Sequence, residues 1–199
     1  MRVQRKRLSY IPPDILLGAY TIGYFPMAEP GTGEILWYSP DPRAIIDLQE
    51  FVVPRSVRQT IRKNLFEVRI DTAFEGVIRG CADREETWIS DVIIRSYVEL
   101  HRLGFAHSVE TWSGGRLMGG LYGVALRGAF FGESMFHRMK DASKVALVAL
   151  VERLRAHGYN LLDIQFMTEH FRRFGAKEIS RAEYLALLSE AMKKRCSFL

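Results

Sequence analysis

Three apolar runs dominate the middle of the chain: residues 117–126, 129–136 and 161–165. Between the second and third lies an Ala/Val/Leu segment, 142–154, whose spacing and length suit a buried helix. The first two runs are rich in glycine and aromatics, as strands are where another backbone or a ligand comes close. The pattern therefore reads strand–strand–helix–strand, with 161–165 able to lie beside 129–136. Upstream, 54–64 reads as a helix opened by Pro54, 66–71 as a strand, and 72–82 and 90–103 as helices. An alternating strand at 106–112 then turns at Gly114-Gly115 into the first apolar run. Downstream come a short helix at 168–174, a short strand at 177–180 and an amphipathic helix at 181–194.

The first fifty residues differ in texture. Residues 12–22 read as a short amphipathic helix, 23–33 as a loop, and 35–39 and 44–48 as strands. Pro40-Asp41-Pro42-Arg43 joins those strands, and its two prolines favour a tight turn over a central strand. The expected organisation is a small N-terminal α/β domain over 1–50 packed on a main domain over 51–199. From residue 66 the order is β-α-α-β-β-β-α-β-α-β, an α+β fold with a mixed, mostly antiparallel sheet flanked by helices. That order resembles the GCN5-related acyltransferase fold, which places acyl transfer where two central parallel strands splay apart. Fold alone does not give a reaction.

Composition narrows the class. With 199 residues, 48% of them hydrophobic, the chain can bury one sizeable core. No run approaches the roughly 18 apolar residues of a membrane span. The N-terminus is basic, and no apolar leader precedes Pro12-Pro13, so a cytoplasmic protein is expected. Cys81 and Cys196 lack metal-like spacing and read as free thiols in a reducing compartment. The net charge of +5 matters through its distribution. Arg2, Arg5, Lys6 and Arg7 form one cluster; Arg55, Arg58, Arg62 and Lys63 form another on the 54–64 helix, with 55, 58 and 62 sharing a face. A one-faced basic stripe is the footprint expected for a polyanion such as tRNA.

Against the apolar centre, Glu133, Asp163 and Gln165 stand out. A carboxylate on a core strand must be paired, protonated or used. Asp163 and Gln165, two apart on one strand, point to the same face. Glu133 either holds a cation or forms a structural salt bridge with Arg138 or Lys144.

Several motifs carry a closer resemblance: Gly23-Tyr-Phe-Pro26, Trp37-Tyr-Ser-Pro-Asp-Pro-Arg43, Cys81-Ala-Asp-Arg-Glu-Glu-Thr-Trp-Ile89 and Ala106-His-Ser-Val-Glu110. They continue through Gly119-Gly-Leu-Tyr-Gly-Val124, Gly132-Glu-Ser-Met-Phe136, Ala142-Ser-Lys144 and Leu162-Asp-Ile-Gln165. In this order the chain resembles the leucyl/phenylalanyl-tRNA–protein transferase family over nearly its whole length. The resemblance implies transfer of Leu or Phe from Leu-tRNA or Phe-tRNA to proteins beginning with Arg or Lys, which marks them for N-end-rule degradation. It implies no metal and no nucleotide cofactor, because the aminoacyl ester is already activated. By the same correspondence Leu121, Phe130, Leu147, Leu154 and Leu162 line the aminoacyl pocket, with Met135 beside them. Familiar members carry Trp directly after Phe-Pro, where it stacks on the terminal adenine; this chain has Met27. Tyr24, Trp37 and Tyr38 then become candidates for part of that contact.

The chemistry asks a neutral α-amine to attack an ester. With a pKa near 8, roughly a tenth of that amine is already neutral at pH 7. Asp163 is therefore expected chiefly to position the amine and stabilise its developing charge, and Gln165 to orient it or donate to the oxyanion. Glu133 would hold the donor's α-ammonium or the acceptor's Arg/Lys head. An acetyl-CoA-dependent N-acetyltransferase is the rival enzyme, but Phe136-His-Arg-Met-Lys-Asp141 contains no glycine to cradle a pyrophosphate. A non-catalytic tRNA-binding module explains the basic stripe and leaves Glu133, Asp163 and Gln165 without purpose.

Overall fold

The computed structural model describes residues 9–199, so the Arg2, Arg5, Lys6, Arg7 cluster lies outside the described residues. The N-terminal part comprises helix α1 (Pro13–Thr21) and strands β1 (Phe25–Ala28), β2 (Ile35–Tyr38) and β3 (Arg43–Ile46). Helix α2 (Arg55–Arg62), strand β4 (Glu67–Ile70) and helices α3 (Phe74–Ala82) and α4 (Asp91–Arg102) follow. The centre runs β5 (Ala106–Ser113), β6 (Arg116–Leu126), β7 (Ala129–His137), α5 (Ala142–Ala156) and β8 (Leu161–Gln165). Helix α6 (Glu169–Arg172), β9 (Lys177–Ile179) and α7 (Arg181–Lys193) complete the fold.

Local chemistry accounts for several boundaries. The Ser90 hydroxyl accepts from the Ile93 amide to start α4, and Ser180 with Glu183 forms a reciprocal capping box on α7. Gly114 and Gly115 both take positive φ, 56° and 72°, as the tight β5–β6 turn requires. The loop expected over 23–33 contains a strand instead. β1 pairs with β2 in a separate two-stranded ribbon, where Pro26, lacking an N–H, is tolerated because the ribbon is all edge.

The main sheet has seven strands in the order β4-β5-β6-β7-β8-β3-β9. It is antiparallel except at β7–β8, as the mixed, mostly antiparallel reading anticipates. β3 lies inside it, between β8 and β9, so the sheet reaches back into the first fifty residues. The prolines at 40 and 42 do not prevent this, because the strand starts just after them, at Arg43. β7 and β8 pair only through Ala129–Leu161, Phe130–Leu162 and Phe131–Asp163. Beyond those pairs, Gly132 onward and Gln165 part. Aromatic side chains including Tyr20, Tyr97 and Phe131 form the core on one face; Phe130, Leu147 and Leu162 belong to the core on the other face, with α5.

Gly123 is required by close approach. A Cβ there would lie 2.3 Å from the Phe131 carbonyl oxygen and 2.4 Å from the Phe130 ring. Gly123→Ala must therefore push β6 from β7 at the sheet's centre. We expect a loss of about 1–3 kcal/mol or more in urea denaturation. An unchanged midpoint would contradict this packing.

Candidate active site

Where β7 and β8 part, a cavity of about 1070 Å³ opens. Leu121, Met135, Leu147 and Leu162 supply apolar wall, and Glu133 and Gln165 are among the polar groups that line it. Four of the six expected pocket residues thus reach the cavity. Phe130 and Leu154 do not: both are fully buried beneath it, and the Phe130 ring stacks on Phe198 at 5.3 Å. Met27 lines the cavity, whereas Trp37 does not; it is exposed on the ribbon. Arg55, Arg58, Arg62 and Lys63 lie on α2 and its C-cap, all four exposed and none of them lining the cavity.

Glu133 is buried and pairs with neither Arg138 nor Lys144. Its Oε1 accepts from the Tyr20 hydroxyl at 2.7 Å and from Gln165 Nε2 at 3.0 Å; its Oε2 accepts from the Tyr97 hydroxyl at 3.0 Å. The two tyrosine hydroxyls also touch each other. A carboxylate offers about four acceptor positions, so Oε2 retains one. Burial pushes the Glu133 pKa up to about 7; the bonds from Tyr20, Tyr97 and Gln165 oppose that rise, and the Asp163 charge adds to it. Burial, reinforced by Glu133, raises both tyrosines well above their ordinary value, so they act as neutral donors.

Because an ionised Glu133 only accepts, the Gln165 amide must present its NH₂ group there. Its Oε1 is left as an acceptor. Gln165 sits at φ 67°, a left-handed conformation that non-glycine residues seldom adopt. Its own amide N–H donates to Asp163 Oδ1 at 2.8 Å, which holds that conformation.

Asp163 departs from the expected role. It is fully buried, and Arg43 engages it with Nε on Oδ1 at 3.0 Å and Nη2 on Oδ2 at 2.6 Å. Tyr184 adds its hydroxyl to Oδ2 at 2.8 Å. With the Gln165 amide these bonds fill all four acceptor positions, so Asp163 has none left for an amine. Nor does it line the cavity. Arg43 itself is buried, donates to the Gly23 carbonyl at 3.2 Å and lies between the Phe25 and Tyr184 rings, 4.7 and 4.5 Å from their centroids. Its pKa is raised even though burial opposes its charge, because the Asp163 hydrogen bonds and charge outweigh that penalty.

Sequence reasoning missed the partners. Tyr20, Tyr97, Arg43 and Tyr184 lie 113, 36, 120 and 21 residues from the carboxylates they serve. Trp88 and Arg84, in the loop after α3, also line the cavity, and Arg84 donates to the Met135 carbonyl at 2.5 Å. For Arg43, Arg84 and Trp88 the one available signal was their place within the family-like motifs; the three tyrosines carried none.

Residues 45–189 match the family model described as leucyl/phenylalanyl-tRNA protein transferase, and residues 11–41 match the model of that family's N-terminal domain. The chain belongs to the leucyl/phenylalanyl-tRNA protein transferase family. A leucyl/phenylalanyl-tRNA–protein transferase of Rubrobacter xylanophilus is 58% identical over 92% of this chain and 96% of its own length. Proteins of the same name from Gloeobacter violaceus and Herpetosiphon aurantiacus are 54% and 55% identical, covering 96% and 97% of this chain and 99% of each relative. The two family matches leave residues 42–44 between them, at the start of β3.

The ion pair gives a stability test. Arg43→Met leaves a charged Asp163 buried without its cation, at a cost of about 3–5 kcal/mol in urea denaturation. Adding Asp163→Asn removes the stranded charge while keeping an acceptor for the Gln165 amide, and should recover more than half the loss. Additive losses in the double variant would contradict the pairing.

Proposed function

We propose that this protein transfers Leu or Phe from aminoacyl-tRNA to the α-amino group of proteins beginning with Arg or Lys, in the cytoplasm. The observation that carries the reading is an apolar cavity beside two polar groups, each with one acceptor unused: Glu133 Oε2 and Gln165 Oε1. Membership of the leucyl/phenylalanyl-tRNA protein transferase family supports the substrates. Among the described residues no helix is long and apolar enough to cross a membrane.

In this reading Leu121, Met135, Leu147 and Leu162 receive the donor side chain, and its ester carbonyl lies at the parting of β7 and β8. An apolar leucine wall with the unbranched, adaptable Met135 accepts both Leu and Phe. The incoming amine donates to Gln165 Oε1 and Glu133 Oε2, which aim its lone pair at the carbonyl carbon. The carbon–nitrogen bond forms, the ester carbon–oxygen bond breaks, and the terminal ribose oxygen leaves as a hydroxyl. The ammonium sheds two protons overall: one goes to that oxygen, and the other to Glu133 or solvent. A carboxylate with a pKa near 7 is well matched to an amine near 8. Asp163 and Arg43 act through Gln165, holding its backbone in place.

The direct test combines purified protein, charged Leu-tRNA and an Arg-starting peptide. Mass spectrometry should find leucine added at the peptide's N-terminus, and no addition to an Ala-starting peptide. Absence of product with both Leu- and Phe-tRNA would overturn the reading.

Glu133 adds a pH signature. Its folded pKa exceeds the ordinary value of 4.5, so the folded protein holds this proton more tightly than the unfolded chain. Its contribution to stability therefore falls as pH rises from about 4.5 to about 7, and the cost is fully present above that window. Glu133→Gln should gain stability over wild type across this window, reach a plateau above about pH 7, and lose most transfer activity. Wild-type kcat/KM should rise through about pH 7 as Glu133 ionises. A Glu133→Gln protein with wild-type activity would contradict the assignment.

A further inference from the structure

Cations gather along one side of the cavity in excess of its needs. Apart from Glu133 its lining holds two carboxylates, Asp83 and Asp141, against Arg84, Arg138, Lys140 and Lys144. Lys144 already pairs with Asp141 at 2.6 Å. Arg138 and Lys140, in the turn between β7 and α5, make no ion pair among the described residues. An apolar aminoacyl group has no use for them.

Two further observations point to an anion. His170 Nε2 at the cavity wall is buried without a hydrogen-bond partner among the described residues. Burial lowers the His170 pKa, and the nearby Lys144, His137 and Arg173 lower it further against the opposing Asp141. Such crowding of like charge is unfavourable until an anion relieves it. Second, the turn is fastened to α2: the Thr60 hydroxyl donates to Asp141 Oδ2 at 3.1 Å. Arg58 and Arg62, on the outward side of the same helix, are exposed.

We propose that the β7–α5 turn, through Arg138 and Lys140, binds the phosphodiesters of the donor's unpaired 3′ end and leads that strand from the cavity to α2. This rests on the aminoacyl-tRNA reading of the same site. The ester-bearing nucleotide must sit at Glu133 and Gln165, and the stripe on α2 meets phosphates further along. The strand between them carries one negative charge per nucleotide, and the turn supplies the cations along that path. His170 supports the same segment from the cavity wall.

Two small donors test this with an Arg-starting peptide as acceptor. One is adenosine esterified with phenylalanine, which has no phosphate. The other is the trinucleotide cytidine-cytidine-adenosine with the same ester, which has two phosphodiesters. Wild-type protein should prefer the trinucleotide in kcat/KM. In Arg138→Ala/Lys140→Ala that preference should fall about tenfold, and its salt dependence should become shallower by about 0.7 for each phosphate no longer neutralised. Lys140→Glu should lower the preference further. Arg58→Ala/Arg62→Ala should weaken whole aminoacyl-tRNA while leaving the trinucleotide preference intact. Both substituted regions lie at the surface, and matching circular dichroism and melting temperatures would confirm that the variants fold. An unchanged trinucleotide preference in both turn variants would overturn the proposal. Wild-type protein inert to both small donors and to whole aminoacyl-tRNA would overturn the transferase reading beneath it.

Discussion

The buried pair between Arg43 and Asp163 is the interaction on which the rest of the site depends. Removing both charges from water is costly, and their attraction offsets this only when geometry and hydrogen bonding are complete. Here they are complete: the guanidinium grips both carboxylate oxygens, two aromatic rings flank it, and the Gly23 carbonyl takes a further N–H. The pair ties β3 to β8 and draws in α7 through Tyr184. It also leaves Asp163 one remaining duty, accepting the Gln165 amide, which fixes a left-handed backbone at the end of β8. Strain held by an over-determined surrounding is a common way to aim a functional side chain.

Two carboxylates a short distance apart are thereby given opposite characters. Asp163 meets a permanent cation and becomes framework. Glu133 meets only neutral donors and a second negative charge, so burial prevails and its pKa climbs to about 7. The difference lies in the partners: Asp163 has every acceptor position filled, and Glu133 keeps one free. Glu133 is destabilising by the same cause, since burial disfavours its ionised form. The tyrosines limit that penalty and leave one acceptor position open.

Much of this was legible in the chain, and the gaps have physical reasons. Glu133, Asp163 and Gln165 stood out because charge is costly on apolar strands, and a period of two put 163 and 165 on one face. Their roles were not legible, because the role of a carboxylate depends on its partners. Arg43 comes 120 residues before Asp163, and no local pattern brings them together. Phe130 read as pocket because apolar strand residues look alike from either side of a wall; Phe198 covers it at a place only tertiary structure reveals. Residues 23–33 read as a loop because the strand within them is only four residues long and pairs in a two-stranded ribbon outside the main sheet. The basic helix was legible from spacing alone, whereas the basic turn beside it was not, since Arg138 and Lys140 acquire meaning only next to the cavity.

In the proposed reaction the amine meets Glu133 and Gln165 and never touches Asp163. A crystal structure with an Arg-starting peptide and a non-reactive amide analogue of phenylalanyl-adenosine measures this directly. The peptide's α-nitrogen should lie about 3 Å from both Glu133 Oε2 and Gln165 Oε1, with Arg43 still bidentate on Asp163. An α-nitrogen bound to an Asp163 oxygen, with Arg43 displaced to make room, would contradict it.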